Sequence, residues 1–246
     1  MKGFDIHHIE ETDSTNLYLK RISRENELPQ GYTVCVDYQL AGRGQKDNSW
    51  ESERGLNLLF STVLFPEKLE AGKQFILSQI ISLAVKDVLD KQASGFCVKW
   101  PNDIYWENKK IAGILIENEI MGDYISRSVI GVGINLNQEI FRSDAPNPVS
   151  LKQITGKNYE IQPLLQRILT SLKDYFSSLN NHNSIKSIRE KYYNSLFRKE
   201  GFYLYNDGSQ NFMAEIACVE DSGLLVLRKE TGETVKYAFK QIRFVL

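Results

Sequence analysis

Cysteine is scarce in this chain of 246 residues: there are three, Cys35, Cys97 and Cys218, set far apart. An odd, sparse count excludes a disulfide framework and fits reduced thiols in the cytoplasm. Each lies in an apolar, strand-like stretch, so each is expected as a small buried hydrophobe. An excess of charge is also absent. The formal net charge is -1, which argues against binding nucleic acid through the overall field and leaves only a local basic patch open. No apolar run approaches the roughly 20 residues needed to cross a bilayer, so no membrane role is expected. The first residues, Met1 to His8, have no apolar core segment and carry an early acid, which excludes a signal peptide. Repeats, low-complexity tracts and long linkers are missing too. What remains is ordinary for a soluble globular protein, 42% hydrophobic and 25% charged. The length suits one large domain, or one domain with a small appendage.

The apolar pattern resolves into elements. Phe4 to Ile9 reads as a short strand, and Asp13 or Ser14 can cap a helix over Thr15 to Glu27. Tyr32 to Val36 is a β-branched strand, and Leu56 to Leu64 is a nearly continuous apolar strand of the kind found inside a sheet. Lys73 to Leu89 has helical spacing with a broad apolar face. Phe96 to Trp100 is a strand stopped by Pro101. Ile104 to Trp106 and Lys110 to Glu119 form a hairpin, and Tyr124 to Leu136 is one more strand. Residues 138–149 are polar, contain Pro146 and Pro148, and read as a surface loop; helices follow at 161–179 and 184–197. From Gly201 onward short alternating runs with glycine turns predict a small all-β module, barrel-like, leaning on the main domain.

Four segments carry groups suited to chemistry. Ser14-Thr15-Asn16 reads chiefly as a helix cap; the functional alternative, compatible with it, is a set of small hydrogen-bonding groups held at a helix N-terminus facing a pocket. Gln39-Leu40-Ala41-Gly42-Arg43-Gly44-Gln45-Lys46-Asp47-Asn48-Ser49-Trp50 packs two glycines around an arginine. Glycine lets backbone approach a ligand, and arginine adds a permanent charge, a pairing that suits an anion, most simply a phosphate. The loop matches neither the Gly-Lys-Ser/Thr phosphate loop nor the dinucleotide fingerprint. Lys99-Trp100-Pro101-Asn102-Asp103 crowds polar groups at a strand end, where they are costly to bury and suit a ligand with donors and acceptors; a plain turn is the bland alternative. Lys110-Ile111-Ala112-Gly113-Ile114-Leu115-Ile116-Glu117 offers a small pair that allows close approach of something bulky.

Singly these segments are weak. Together, in order and followed by Gly131-Val132-Gly133-Ile134-Asn135, they resemble the biotin protein ligases over Thr12 to Leu136, with a weaker echo at Val149-Ser150-Leu151. The resemblance implies synthesis of biotinyl-5′-adenylate from biotin and ATP, then transfer of biotin to a lysine of a biotin carboxyl carrier protein. The implied fold is α+β: a mixed β-sheet with helices on one side over residues 1–198, and a small SH3-like β-barrel over residues 199–246.

The resemblance also implies roles. Ser14, Thr15 and Gln39 would hold biotin, with the backbone around Gly42; Ala112 and Gly113 would let its rings lie against the strand. Arg43 would hold the biotin carboxylate and the α-phosphate together, and Lys110 would bind oxygens of both. Gln45, Trp50, Asn102 and Asn135 fall on the nucleotide side, with Trp50 near the adenine. Asp103 would orient or deprotonate the incoming lysine. Mg²⁺ would come with ATP, with no ligand assigned to the protein. No enzyme nucleophile is needed, which agrees with the lack of a Ser-His-Asp set. Family members occur as monomers and dimers, so a homodimer is possible. Members that repress transcription carry an N-terminal DNA-binding domain; only a short segment precedes Ser14 here, so an enzyme without DNA binding is expected.

Two positions depart from the family. Gln45 stands where many members keep a second arginine, and Asp47 where glycine is common. Asp tolerates left-handed backbone, but nothing in the sequence offsets its charge near phosphates. The loop as a whole is expected to act as a lid that orders over an acyl-adenylate. Two other readings remain. A lipoate ligase or octanoyl transferase shares the catalytic fold but lacks the Lys-Trp-Pro-Asn-Asp segment. A non-catalytic biotin or nucleotide sensor should have lost charges that serve only the reaction, yet Arg43 and Lys110 are both present.

Overall fold

The computed structural model describes residues 4–45, 48–143 and 145–245. Its larger sheet has seven strands: β1 (Asp5–Thr12), β2 (Tyr32–Gln39), β3 (Leu58–Leu64), β4 (Phe96–Lys99), β5 (Asp103–Trp106), β6 (Lys109–Met121) and β7 (Tyr124–Ile134). Their spatial order is β1-β2-β3-β7-β6-β5-β4. β1 and β2 are parallel and every other pair is antiparallel, so the sheet is mixed. The parallel step follows from its connection: α1 (Thr15–Glu25) links β1 to β2 as a crossover.

β3 is an interior strand, paired on both sides, and all of its residues are buried. Strand alternation sends Leu58, Phe60 and Leu64 to one face and Leu59 and Val63 to the other. The first face packs on α2 (Phe75–Leu89), α4 (Ile161–Ser177) and α5 (His182–Asn194), which supply Leu77, Ile80, Leu165, Ile168 and Tyr192. On the second face Leu19 of α1 closes a smaller cluster with Val34, Val36, Leu59, Val63 and Val129. The three long helices therefore share one side, and α1 alone lies against the other. A sheet so covered explains why β3 reads as continuous rather than alternating. No described helix is long and apolar enough to cross a membrane.

The described residues of 138–149 form neither helix nor strand, as the polar-loop reading expects, and a short helix follows. Ser150 and Gln153 form a reciprocal capping box that starts α3 (Leu151–Thr155), and left-handed Gly156 ends it. The spacing Ser-x-x-Gln was the available signal.

The C-terminal strands are β8 (Tyr203–Asn206), β9 (Asn211–Val219), β10 (Leu225–Lys229), β11 (Thr234–Tyr237) and β12 (Arg243–Phe244). They form one antiparallel sheet in the order β11-β10-β9-β8-β12. β11 and β12 end the order without pairing, so the expected barrel is instead an open sheet. The main domain does what closure would have done. Tyr205, Ala214, Ile216, Leu225 and Leu227 join the same apolar cluster as α2 and α5. Gly223, at φ +90°, comes so close to Phe75 that a Cβ would stand 2.8 Å from the ring.

The cysteines divide. Cys35 is buried, Cys97 is partly covered and Cys218 is exposed. Uniform burial fails at Cys218 because the register of β9 on β10 shifts between Leu227, opposite Ile216, and Val226, opposite Cys218. That bulge at Ala217 breaks the alternation that buries Ala214 and Ile216.

Candidate active site

The site begins where β1 hands over to α1. Ser14 has extended backbone (φ -155°), as a helix cap should, yet among the described residues its side chain makes no capping bond. It lines a cavity of about 100 Å³ instead. Gln39, at the end of β2, supplies the missing cap: its Oε1 accepts from the Thr15 main-chain N–H at 2.8 Å and from the Thr15 hydroxyl at 3.1 Å. Behind them the Ser61 hydroxyl lies 2.6 Å from both Thr15 Oγ1 and Asn16 Oδ1. Asn16 Nδ2 donates to Glu117 Oε2 at 2.8 Å. The result is a buried polar shelf whose members are partnered, which is how polar groups survive beside a core.

The glycine-arginine loop folds over this shelf as a tight hairpin. Trp50 N–H donates to Gly42 O at 2.9 Å, Gly44 N–H to Asn48 O at 2.6 Å, and Arg43 bridges Ser49. A Cβ on Gly42 would stand 2.5 Å from the Trp50 carbonyl. Gly42 therefore permits the hairpin and is not among the residues facing the cavity, whereas Arg43, Gly44, Gln45, Asn48, Ser49 and Trp50 are. Lys46 and Asp47 lie outside the described residues, and with them the expectation for the turn at Asp47.

Trp50 then drops onto the sheet. Its indole covers Gly113 of β6 and Gly133 of β7, where a Cβ would stand 2.9 and 2.5 Å from ring atoms. The place the family resemblance reserves for biotin against Gly113 is shared with this indole. Trp50 Nε1 is buried with no partner among the described residues. Lys110 Nζ lies 5.7 Å from the centre of the ring and 2.8 Å from Asp103 Oδ2.

Asn102 and Asp103 both reach the cavity; buried Asn102 donates to the Ile114 carbonyl. Lys99, from the same segment, goes elsewhere. Its ammonium lies over the rings of Tyr105 and Phe244 and 3.1 Å from the Tyr105 hydroxyl, and burial pushes its pKa down. Trp100 donates from Nε1 to Gly223 O at 3.0 Å and meets Phe239 edge to face. This half of the motif fastens the C-terminal sheet, and Phe239, in the turn after β11, lines the cavity.

A second pocket adjoins the first and shares Asn48, Ser49, Trp50, Asp103 and Lys110 with it. Asn135 stands here and not in the first pocket. Its Nδ2 donates to Val149 O at 3.2 Å, while Oδ1 is buried with no partner among the described residues. Arg142, Ser143 and Asn147 complete the far wall.

Charge is arranged around the junction. Glu117 is flanked by Lys20 at 2.7 Å and Arg43 at 3.6 Å. Burial alone would raise its pKa, but bonds from Lys20 and Asn16 and the nearby arginine hold it below the usual carboxylate range. Among the described residues no three His, Cys, Asp or Glu side chains gather to hold a metal ion. Asn16 belongs to the Ser14-Thr15-Asn16 segment read as facing a pocket, and it does line the cavity; Ser61, Glu117 and Phe239 carry no individual role in the sequence reading. A polar Ser61-Thr62 pair inside an otherwise apolar strand was a usable signal; nothing in the sequence marked Phe239.

Residues 8–135 match the biotin/lipoate A/B protein ligase family. The bifunctional ligase/repressor BirA of Bacillus subtilis is 30% identical over 220 residues, 86% of this chain and 65% of that protein. The biotin–[acetyl-CoA-carboxylase] ligase of Paracoccus denitrificans is 27% identical over 233 residues, 91% of this chain and 94% of that one. Among solved structures, the biotin protein ligase from Aquifex aeolicus in complex with biotin and ATP superposes with a TM-score of 0.80 at 24% identity, covering 100% of both chains, a likeness of fold. The chain spans less than two thirds of the length of its Bacillus subtilis and Escherichia coli relatives, 65% and 38%.

Proposed function

We propose that this chain, which belongs to the biotin/lipoate A/B protein ligase family, activates biotin with ATP to biotinyl-5′-adenylate and transfers the biotinyl group to a lysine of a biotin carboxyl carrier protein. One observation carries the reading. Two pockets meet at Trp50 and Lys110, and the first of them also holds Arg43. Two anions must be brought together at such a junction, and fixed cations offset their repulsion.

In the first step a biotin carboxylate oxygen attacks the α-phosphorus. The bond from that phosphorus to the bridging oxygen breaks, and pyrophosphate leaves. Ser14, Thr15 and Gln39 orient the biotin end. Arg43 and Lys110 stabilise charge on the oxygens around phosphorus, with Gln45 beside them. Trp50 divides the two subsites, and Asn102 and Asn135 serve the nucleotide side, where Asn135 Oδ1 suits a donor on ATP. Mg²⁺ bound to the triphosphate would neutralise part of its charge. In the second step the carrier's lysine amine attacks the acyl carbon, the carbon–oxygen bond to AMP breaks, and Asp103 takes the amine proton. Residues 1–198 supply the chemistry and 199–246 the wall at Phe239. We place the protein in the cytoplasm, and the outer edge of β1 offers a pairing surface for a homodimer.

Biotin-dependent exchange of pyrophosphate into ATP, and a gain of the biotinyl mass on an apo carrier protein, test the proposal. Acylation by lipoate or octanoate in place of biotin would replace it with the lipoate-ligase reading. Biotin binding with no exchange would make the protein a sensor.

A further inference from the structure

Glu51 stands one residue beyond Trp50 and outside every motif quoted above. Its carboxylate crosses to the far wall of the second pocket. Oε1 accepts from the Arg142 main-chain N–H at 2.7 Å, and Oε2 accepts from the Ser143 N–H at 2.8 Å. Gln138 Nε2 lies 3.5 Å from Oε1. Gln138 is fully buried and continues the connection. Its Oε1 accepts from Glu53 N–H at 3.0 Å and from Asn57 Nδ2 at 2.6 Å, and its Nε2 donates to Ile140 O at 2.9 Å. Asn57 Oδ1 in turn accepts from Leu136 N–H at 2.9 Å. Residues 51–57 are thereby stitched to residues 136–143. Burial would push the Glu51 carboxyl up, but the bonds from Ser143 and Arg142 hold it below the usual range, so it is the ionised form that makes the stitch.

We infer that Glu51 is a positioning residue for the nucleotide: it holds the Arg142–Ser143 main chain as a preformed wall of the second pocket and fixes that wall relative to Trp50. This rests on the reading of the second pocket as the ATP subsite. Two charge-assisted bonds to consecutive N–H groups order the segment before the ligand arrives. Without them the cost of ordering falls on nucleotide binding and weakens it. Biotin, held by Thr15 and Gln39 on the other side of Trp50, does not draw on this wall.

Three measurements on wild type, Glu51→Ala and Glu51→Gln decide it. They are hydrogen exchange across 138–150, biotin affinity without nucleotide, and the ATP KM of biotin-dependent pyrophosphate exchange. Glu51→Ala is expected to lose protection at Arg142 and Ser143 and to raise the ATP KM about tenfold, with biotin affinity within about twofold of wild type. Glu51→Gln keeps one acceptor and should fall between. Unchanged protection in the alanine variant overturns the stitch. Lost protection with an unchanged ATP KM, or an equal loss of biotin affinity, overturns the positioning role. A wild-type chain with no biotin-dependent exchange sinks the ligase reading instead, and the hydrogen-exchange arm still decides the stitch.

Discussion

Trp50 lies against Gly133 so closely that a single added methyl would stand 2.5 Å from its indole Cε2 and 2.6 Å from Nε1. The side chain that divides the two pockets is thus seated on a bare patch of backbone, with Gly113 completing the seat.

Gly133→Ala should therefore unseat Trp50. Overpacking of this kind costs about 1–3 kcal/mol, read as a lowered midpoint in a thermal or urea melt. Biotin-dependent pyrophosphate exchange should fall more than tenfold, on the order expected when a reacting group is displaced by about 1 Å. Trp50→Ala on its own also removes the partition. The double variant should recover part of the stability lost at Gly133, because the clash and the packing share one contact. Strict additivity in the melts would show that the indole is not seated there.

Asp103 and Lys110 form an ion pair of 2.8 Å between facing strands. Asp103→Asn keeps the shape and removes the base. Transfer from preformed biotinyl-adenylate to the carrier should slow by about 10²-fold or more, the usual scale for losing a general base. Adenylate formation should change much less, since Lys110 keeps its place over Trp50. Single-turnover measurement of each step separates them, and equal slowing of both would remove Asp103 from proton transfer.

Much of this architecture was legible in the sequence because its pattern is local. Leu56 to Leu64 showed a buried strand, and Phe75, Ile80, Ala84 and Val88 showed the covering helix. Order of motifs along the chain pointed to the residues that line one cavity, from Ser14 to Gly113. What escaped depends on distant partners. Lys99 reads like Lys110 until Tyr105 and Phe244 are seen to take its ammonium. Phe239 enters the site only because the C-terminal sheet docks on Trp100. A barrel was the natural reading of five short strands, but the apolar residues of this sheet are continuous with the core of the main domain, which Gly223 meets at Phe75 and Ile216 O at the Tyr193 hydroxyl, so the sheet is covered without closing. Cys218 was misplaced by one extra residue in β9, which no periodicity reveals.

The thiols give a direct check of that register. Burial pushes Cys35 up to about 12 and Cys97 up to about 11. Cys218, exposed on β9, is raised less. Since the thiolate is the reacting form, a disulfide reagent at pH 8 should modify Cys218 rapidly in the native protein and the other two only on unfolding. Peptide mapping identifies the modified residue. Fast labelling of Cys35 would contradict the covered β2–β3 face.

Glu117 sets the acid limit of the site. Its folded pKa lies below the ordinary 4.5, because the bonds from Lys20 and Asn16 outweigh burial. The unfolded chain therefore binds the proton more readily, so stability rises with pH in the window between the two values. The contribution is fully present above 4.5 and is lost as pH falls through the folded pKa. Glu117→Gln removes the titration while keeping the shape. Below pH 4.5 its melting temperature should fall less steeply than that of wild type, and at pH 7 it should be lower. The same substitution frees Arg43 from a partner at 3.6 Å. Because Arg43 lines the first pocket and is placed on both the biotin carboxylate and the α-phosphate, biotin affinity and the rate of biotin-dependent pyrophosphate exchange at neutral pH are both expected to change. Parallel acid slopes for the two proteins would mean that the Lys20–Glu117 pair carries no stability in the folded chain.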